Sequence, residues 1–216
     1  MTPVFSNLRK ILVILSIYLI MPSLGLSALS AEMAQDSGDK PAKFIQELAD
    51  EAMAVLRDRQ GSIDEREKQF RAVLKDNFAM AKIGRFAAGR FWRQMSADQQ
   101  QQYQQLFEKW ILKTYSIRFG GYSGETVNVL KTDKTGKTDV FVRTKINSSS
   151  GRAIKVDWRV RNIKDHYKII DVLVEGVSML VTQKAEFGAV LRQQGIDGLI
   201  KILRSQLDRL AAVKAN

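Results

Sequence analysis

From Pro41 onward, apolar residues recur at helical spacing through Phe44, Ile45, Leu48, Ala52, Val55 and Leu56, and the pattern stops at Gly61. Ser62 and Glu65 then form a capping-box pattern that opens a second helix, with Phe70, Val73 and Leu74 on one face. The stretch from Asn77 to Met95 is denser in bulky residues, Phe78, Met80, Ile83, Phe86, Phe91 and Trp92, set among Gly84, Ala87, Ala88 and Gly89. Small residues beside bulky ones either let helices approach closely or leave a space between them. Ser96 and Gln99 repeat the capping pattern and start a long helix that carries Tyr103, Leu106, Phe107, Trp110, Ile111 and Tyr115 and ends at Gly120 and Gly121.

After Gly121 the period changes to two. Thr126 to Lys131, Val140 to Ile146, Ile154 to Val160 and Tyr167 to Val174 read as four strands, separated by turn-rich Thr132 to Thr138, Asn147 to Gly151 and Asn162 to Asp165. In the third strand, Ile154, Val156, Trp158 and Val160 alternate with Lys155, Asp157, Arg159 and Arg161, which gives one apolar face and one charged face. Short connections predict an antiparallel meander. Two helices close the chain, one around Ser178 to Gln194 and one from Asp197 through Leu210. The expected fold class is α+β, with helices packed on one face of a four-stranded antiparallel sheet.

The N-terminus is organised differently. Arg9 and Lys10 precede an apolar run from Ile11 to Ile20, a Pro22 break and the small residues Ser27, Ala28, Ser30 and Ala31. This order is that of a secretory signal peptide, residues 1–31, with cleavage near Ala31 and export of the rest of the chain; the alternative is an uncleaved anchor. Residues 32–40 are polar and read as a disordered mature N-terminus, and 41–212 as a single domain. Processing takes two cations and no carboxylate, so the formal charge falls from +11 to about +9. Lys and Arg are spread along the chain and export separates it from nucleic acid, so Arg85, Arg90 and Arg143 suit an anionic membrane, an acidic partner or plain solvation.

Candidate chemistry is sparse. The chain has no Cys, which removes disulfides and thiol catalysis, and a single His, so transition-metal sites are poorly supplied. His166 sits beside Asp165 at a predicted turn; a triad with Ser178 would need a juxtaposition that nothing local provides. Gly136-Lys137-Thr138 resembles the end of a phosphate-binding loop, but Lys131 stands where the first Gly belongs, and the segment reads as a hairpin turn. Asp171 and Glu175 share a face of the last strand and either do acid/base work or serve structure, through pairing with basic neighbours or capping of the Gly176 turn. The apolar layers allow ordinary core packing or an apolar ligand cavity.

Glu175-Gly-Val-Ser-Met, Gln183 to Phe187, Leu191-Arg and Gly195-Ile-Asp-Gly-Leu199 resemble the C-terminal signature of the periplasmic MlaC phospholipid carriers, also called the toluene-tolerance family. Gly89-Arg-Phe-Trp, Ser96-Ala-Asp-Gln-Gln, Phe107 and Tyr115 are similar to that family too, and the likeness runs from about Ala42 to Leu207. The resemblance implies a non-enzymatic, monomeric carrier with no cofactor and a bound phospholipid as cargo. Its implied partners are an inner-membrane Mla ABC transporter complex and an outer-membrane Mla lipoprotein complex, and its implied role is the maintenance of outer-membrane lipid asymmetry. Another apolar cargo such as a hopanoid, a periplasmic enzyme and a chaperone for apolar segments are the alternatives.

A diacyl lipid exposes about 30 methylenes, so its tails cost on the order of 20 kcal/mol to leave in water, and a carrier has to cover nearly all of them. On the resemblance, Phe78, Ile83, Phe86, Phe107, Ile111, Tyr115, Val142, Val156, Trp158, Val172, Val174 and Met179 are expected to line a pocket between sheet and helices. Gly176, Gly195 and Gly198 are the candidate hinges for opening it.

Overall fold

Both capping boxes form as the side chains dictate. Ser62 Oγ accepts from Glu65 N at 3.2 Å while Ser62 N donates to Glu65 Oε2 at 2.8 Å. Ser96 and Gln99 repeat the exchange at 3.1 and 3.0 Å. The structure, a computed structural model, describes residues 36–58, 60–119, 124–147 and 153–212. In chain order these form α1 (Asp36–Arg57), α2 (Ile63–Asn77), α3 (Met80–Ala88), a 3-10 helix (Gly89–Gln94), α4 (Ala97–Phe119), β1 (Thr126–Thr135), β2 (Asp139–Asn147), β3 (Ala153–Ile163), β4 (His166–Val174), β5 (Val177–Ser178) and α5 (Met179–Ala212). The proposed signal segment, Gly120 with Gly121, and most of the Asn147 to Gly151 turn lie outside the described residues.

The sheet is an antiparallel meander in the order β1-β2-β3-β4-β5, so it has five strands and not four. The additional strand arises because Glu175 and Gly176 both take positive φ, 49° and 81°, a tight turn that folds Val177 and Ser178 back onto Val174 and Leu173. Lys164 and Asp165 do the same between β3 and β4. At the other end, α1 begins at Asp36, inside the 32–40 segment expected to be disordered. Its next turns carry the buried Pro41 and Ile45, and a helix anchored there extends backwards at little further cost. The two C-terminal helices form a single span whose axis breaks at Gly195, with φ 69° and ψ −171°.

Two apolar clusters result. In the first, Ile45 and Leu48 of α1 and Val73 of α2 close on Val142, Val160 and Ile169 of the sheet, with Phe44, Phe78, Trp158, Tyr167 and Val172 around them. The second lies among helices: Tyr103, Phe107 and Trp110 of α4 meet Phe187 of α5 with ring centroids 5.8–6.3 Å apart. Gly84 of α3 is required beside this cluster, because a Cβ there would lie 2.9 Å from Phe107 Cδ1 and 2.8 Å from the Gln104 amide. Tyr103 Oη donates to the Gly84 carbonyl at 2.8 Å and ties the same approach.

The other sheet face carries its charges in pairs. Arg143 meets Asp133 at 2.9 Å and also bonds Asp157. Asp139, with a side chain only 3 % exposed, accepts from Arg161 Nε at 2.6 Å, Arg159 Nε at 2.8 Å and Thr138 Oγ1 at 2.9 Å. Burial raises its pKa, but hydrogen bonds from Arg161, Thr138 and Arg159 outweigh that and hold it at about 2. An unfolded Asp titrates near 3.9, so the unfolded chain binds more protons in between and stability rises with pH. About 2 kcal/mol from this group is expected to be fully present above about pH 5 and lost as pH falls towards 2. Denaturant midpoints measured over that window should show this slope, and Asp139→Asn should remove it.

Candidate functional site

Five of the expected pocket residues are neighbours on the inner sheet face. Val142 pairs with Trp158, Trp158 with Val172, and Val156 with Val174. Phe78 joins them through a bridge to Ile169, reinforced by Ala79 N donating to the Ile169 carbonyl at 2.9 Å. Trp158 Nε1 donates to Thr144 Oγ1 at 3.0 Å, and that hydroxyl donates to the Val156 carbonyl at 2.7 Å. Both polar groups on this face are thereby satisfied, and the indole offers only apolar surface. Trp158, Val172 and Val174 are half-buried, as are Phe78 and Met179, the first residue of α5.

The helical members of the set divide. Ile83 of α3 and Ile111 and Tyr115 of α4 are half-buried. Phe107 is fully buried, and it packs into the aromatic helix cluster instead of facing the sheet across a cavity. The main neighbours of α4 are α5, α2 and α3, which is why its apolar stripe meets helices. Phe86 is 44 % exposed on the outside of α3, with the Lys184 ammonium 4.6 Å from its ring centroid. Trp158, Val172, Val174 and Ile111 keep part of their surface open, whereas Phe107 and Val142 are closed over completely by their neighbours.

A groove of about 520 Å³ opens elsewhere, between α2, α4 and the end of α5. It is lined by Leu112 and Leu207 and rimmed by Arg71, Lys75, Lys109 and Lys113, and contains none of the expected pocket residues.

The three glycines differ. Gly176 completes the β4–β5 turn and Gly195 breaks α5 in a backbone region essentially confined to glycine. Gly198 has no positive φ; a Cβ there would sit 2.4 Å from Gln194 Cβ, so it permits the tight restart of the helix after the break. Gln99 Nε2 donates to Asp197 Oδ1 at 2.9 Å and holds that break to the start of α4.

Asp171 and Glu175 do not converge on a reaction centre. The buried Asp171 accepts from Ser178 Oγ at 2.6 Å and Val172 N at 2.8 Å, and from Leu180 N at 3.1 Å. Its carboxylate thus satisfies one of the open N–H groups at the start of α5. Ser178 Oγ in turn accepts from Val181 N at 3.0 Å, which commits it to the helix cap. Exposed Glu175 accepts from Lys155 N at 2.9 Å. Among the described residues neither carboxylate pairs with a basic side chain, one of the two structural roles considered from sequence; backbone N–H groups and a hydroxyl take that place. His166 is exposed at the β3–β4 turn, and Gly136-Lys137-Thr138 is a hairpin loop. Among the described residues, no group of three or more His, Cys, Asp or Glu side chains is placed to hold a metal.

The periodicity did not single out Phe187, which joins three rings of α4, or Asp139. For Phe187 the signal was its spacing from Val190 and Leu191; for Asp139 it was the pair Arg159 and Arg161 on one face of β3.

Fold and site together define an α+β domain in which helices cover one face of an antiparallel sheet and the apolar interior is split between a sheet cluster and a helix cluster. The family model for the MlaC protein matches residues 46–205, and the chain belongs to the MlaC family. It is 23 % identical over 168 residues to the intermembrane phospholipid transport system binding protein MlaC of Haemophilus influenzae, covering 74 % of this chain and 78 % of that protein. The fold is shared with a phospholipid-binding protein from Ralstonia solanacearum solved in complex with a phospholipid, with TM-score 0.70 and 24 % identity over 79 % of this chain and 98 % of that one.

Proposed function

We propose that this protein is a periplasmic carrier that takes the acyl chains of a phospholipid between the inner sheet face and the helical layer. The observation that carries the reading is the contiguous apolar face of Val142, Val156, Trp158, Val172 and Val174, partly open and with its polar groups already satisfied. Family membership supports it, as do a relative named for phospholipid transport and a shared fold solved with a phospholipid bound. In this reading Phe78, Ile83, Ile111, Tyr115 and Met179 form the remaining wall, and Phe107 stands behind it.

Full coverage of two acyl chains requires the helical layer to move off the sheet. Gly176 and Gly195 are the proposed pivots, since both sit exposed at backbone turns where rotation disturbs little packing. Gly198 contributes by allowing the close restart of α5. The carrier exchanges its cargo with an inner-membrane Mla ABC transporter complex and an outer-membrane Mla lipoprotein complex, and so serves lipid asymmetry. It acts as a monomer, and the N-terminal segment directs its export.

The test is solvent extraction and native mass spectrometry of protein purified without detergent. A stoichiometric phospholipid is expected. Protein that carries none and takes none up from vesicles would sink the reading, and a hopanoid in its place would redirect it.

A further inference from the structure

Several cations of the folded domain are held by carboxylates. Arg71 and Lys113 bond Glu67, Lys75 meets Glu108, and Arg143, Arg159 and Arg161 are held by Asp133, Asp139 and Asp157. Arg143 is thereby neutralised, unlike Arg85 and Arg90. One segment has no local carboxylate to pair with: between Asp76 and Asp98 the chain has no acidic residue, yet it carries Lys82, Arg85, Arg90 and Arg93. Among the described residues, none of these four, nor Lys184 of α5, makes an ion pair.

Three of these cations, Lys82, Arg85 and Lys184, lie beside exposed apolar groups. Lys82 and Phe86 lie one turn apart on α3, and the Lys184 ammonium reaches the Phe86 ring. Val181, 57 % exposed, lies three residues before Lys184 on α5, and Lys184 also lies against Gly89. Arg85 and Arg90 sit over Trp92 and Phe91, with their charges still exposed. Glu186, the nearby carboxylate of α5, is turned inward, with Oε1 buried and Oε2 accepting from Gln183 at 3.3 Å.

We infer that the face formed by α3, the 3-10 helix and the first half of α5 is a docking surface for an anionic phospholipid bilayer. Unpaired Lys82, Arg85 and Lys184, set beside Phe86 and Val181, match such a surface in two ways. The cations meet lipid phosphates, and the two apolar groups enter the boundary between head groups and acyl chains. The long Lys and Arg stems let their charges stay in the head-group layer while the apolar groups go deeper. An acidic protein partner would be met by the charges, but it gives no particular role to an exposed Phe and Val without a matching pocket. The inference extends the carrier reading, since it brings the domain to the membrane that holds its cargo, yet its physics is independent of any cargo.

The test is flotation of the processed protein, checked by mass for loss of its N-terminal segment, with vesicles of equal parts phosphatidylglycerol and phosphatidylcholine and with phosphatidylcholine alone. Association is expected only with the anionic vesicles, at about 50 mM salt and not at about 500 mM. Each cation near an anionic surface changes association about fivefold, so Lys82→Gln/Arg85→Gln/Lys184→Gln is expected to weaken it on the order of a hundredfold. Val181→Ser should weaken it several-fold. Lys131→Gln/Lys134→Gln/Lys137→Gln, on the distant β1–β2 hairpin, removes the same charge and should have far less effect. Equal binding to neutral vesicles, equal loss in the hairpin variant, or no vesicle binding at all would overturn the inference. If the last occurs while phospholipid still co-extracts with the protein, the carrier reading stands; vesicle binding by a protein that never holds lipid would reverse that outcome.

Discussion

Truncation of Phe107 to alanine is expected to lower the stability of the domain by about 3–5 kcal/mol, the range for removing a fully buried aromatic ring. Its side chain has no exposed surface and contacts Tyr103, Trp110 and Phe187 at centroid distances of 5.8, 6.5 and 6.1 Å. The cavity cannot easily collapse, because the approach of α3 to α4 at Gly84 is already held by the Tyr103 hydroxyl and by Gln104 Nε2 on the Met80 carbonyl. Denaturant unfolding with an unchanged m-value would measure the loss. The same variant asks whether Phe107 is core or pocket wall: a loss below about 1 kcal/mol accompanied by loss of bound lipid would move it into the wall, against its placement in the helix cluster.

The second large effect is expected at the proposed wall itself. Ile111→Lys and Val174→Lys each place an ammonium group at a half-buried position, where its long stem can reach water and leave the fold intact. With acyl chains against the same position the charge has to enter hydrocarbon, at a cost of about 2.5–3.5 kcal/mol, or roughly a hundredfold in lipid affinity. Co-purifying phospholipid is therefore expected to fall by more than tenfold while the unfolding midpoint changes little. Lys134→Ala, on the exposed part of β1, should leave the lipid content unchanged. Retention of full lipid occupancy by both wall variants would remove the sheet–helix interface as the binding site.

The two predictions separate groups of residues that look alike along the chain. Phe107 and Ile111 lie one turn apart on the same long apolar stripe of α4, and periodicity alone assigns both to one face. Their different fates come from neighbours remote in sequence: Phe187 of α5 and Gly84 of α3 close over Phe107, whereas Ile111 keeps part of its surface open. Phe86 illustrates the same point in reverse. It is expected in the pocket wall, but α3 turns Met80, Gly84 and Ala87 inward and leaves Phe86 exposed under the Lys184 ammonium. The acidic partners were hidden in a similar way. Asp171 and Glu175 are expected on one face of the last strand, but Glu175 lies in the turn after it: Asp171 is buried in the cap of α5, and Glu175 bonds the backbone of β3.

Legible along the chain is whatever neighbouring residues settle among themselves: the two capping boxes, the change from helical to alternating period after Gly121, the one-sided third strand, the meander and the glycine that breaks α5. The sequence also carried the family, because that signature lies in a continuous segment. The fifth strand escaped it, since two residues form a strand only when a turn of positive φ returns them to a waiting edge. Packing in three dimensions set the rest: which rings form the helix cluster and which stay open, and which arginines are neutralised and which are left facing water. Those outcomes depend on groups brought together from distant parts of the chain, and both burial and ion pairing are properties of that proximity.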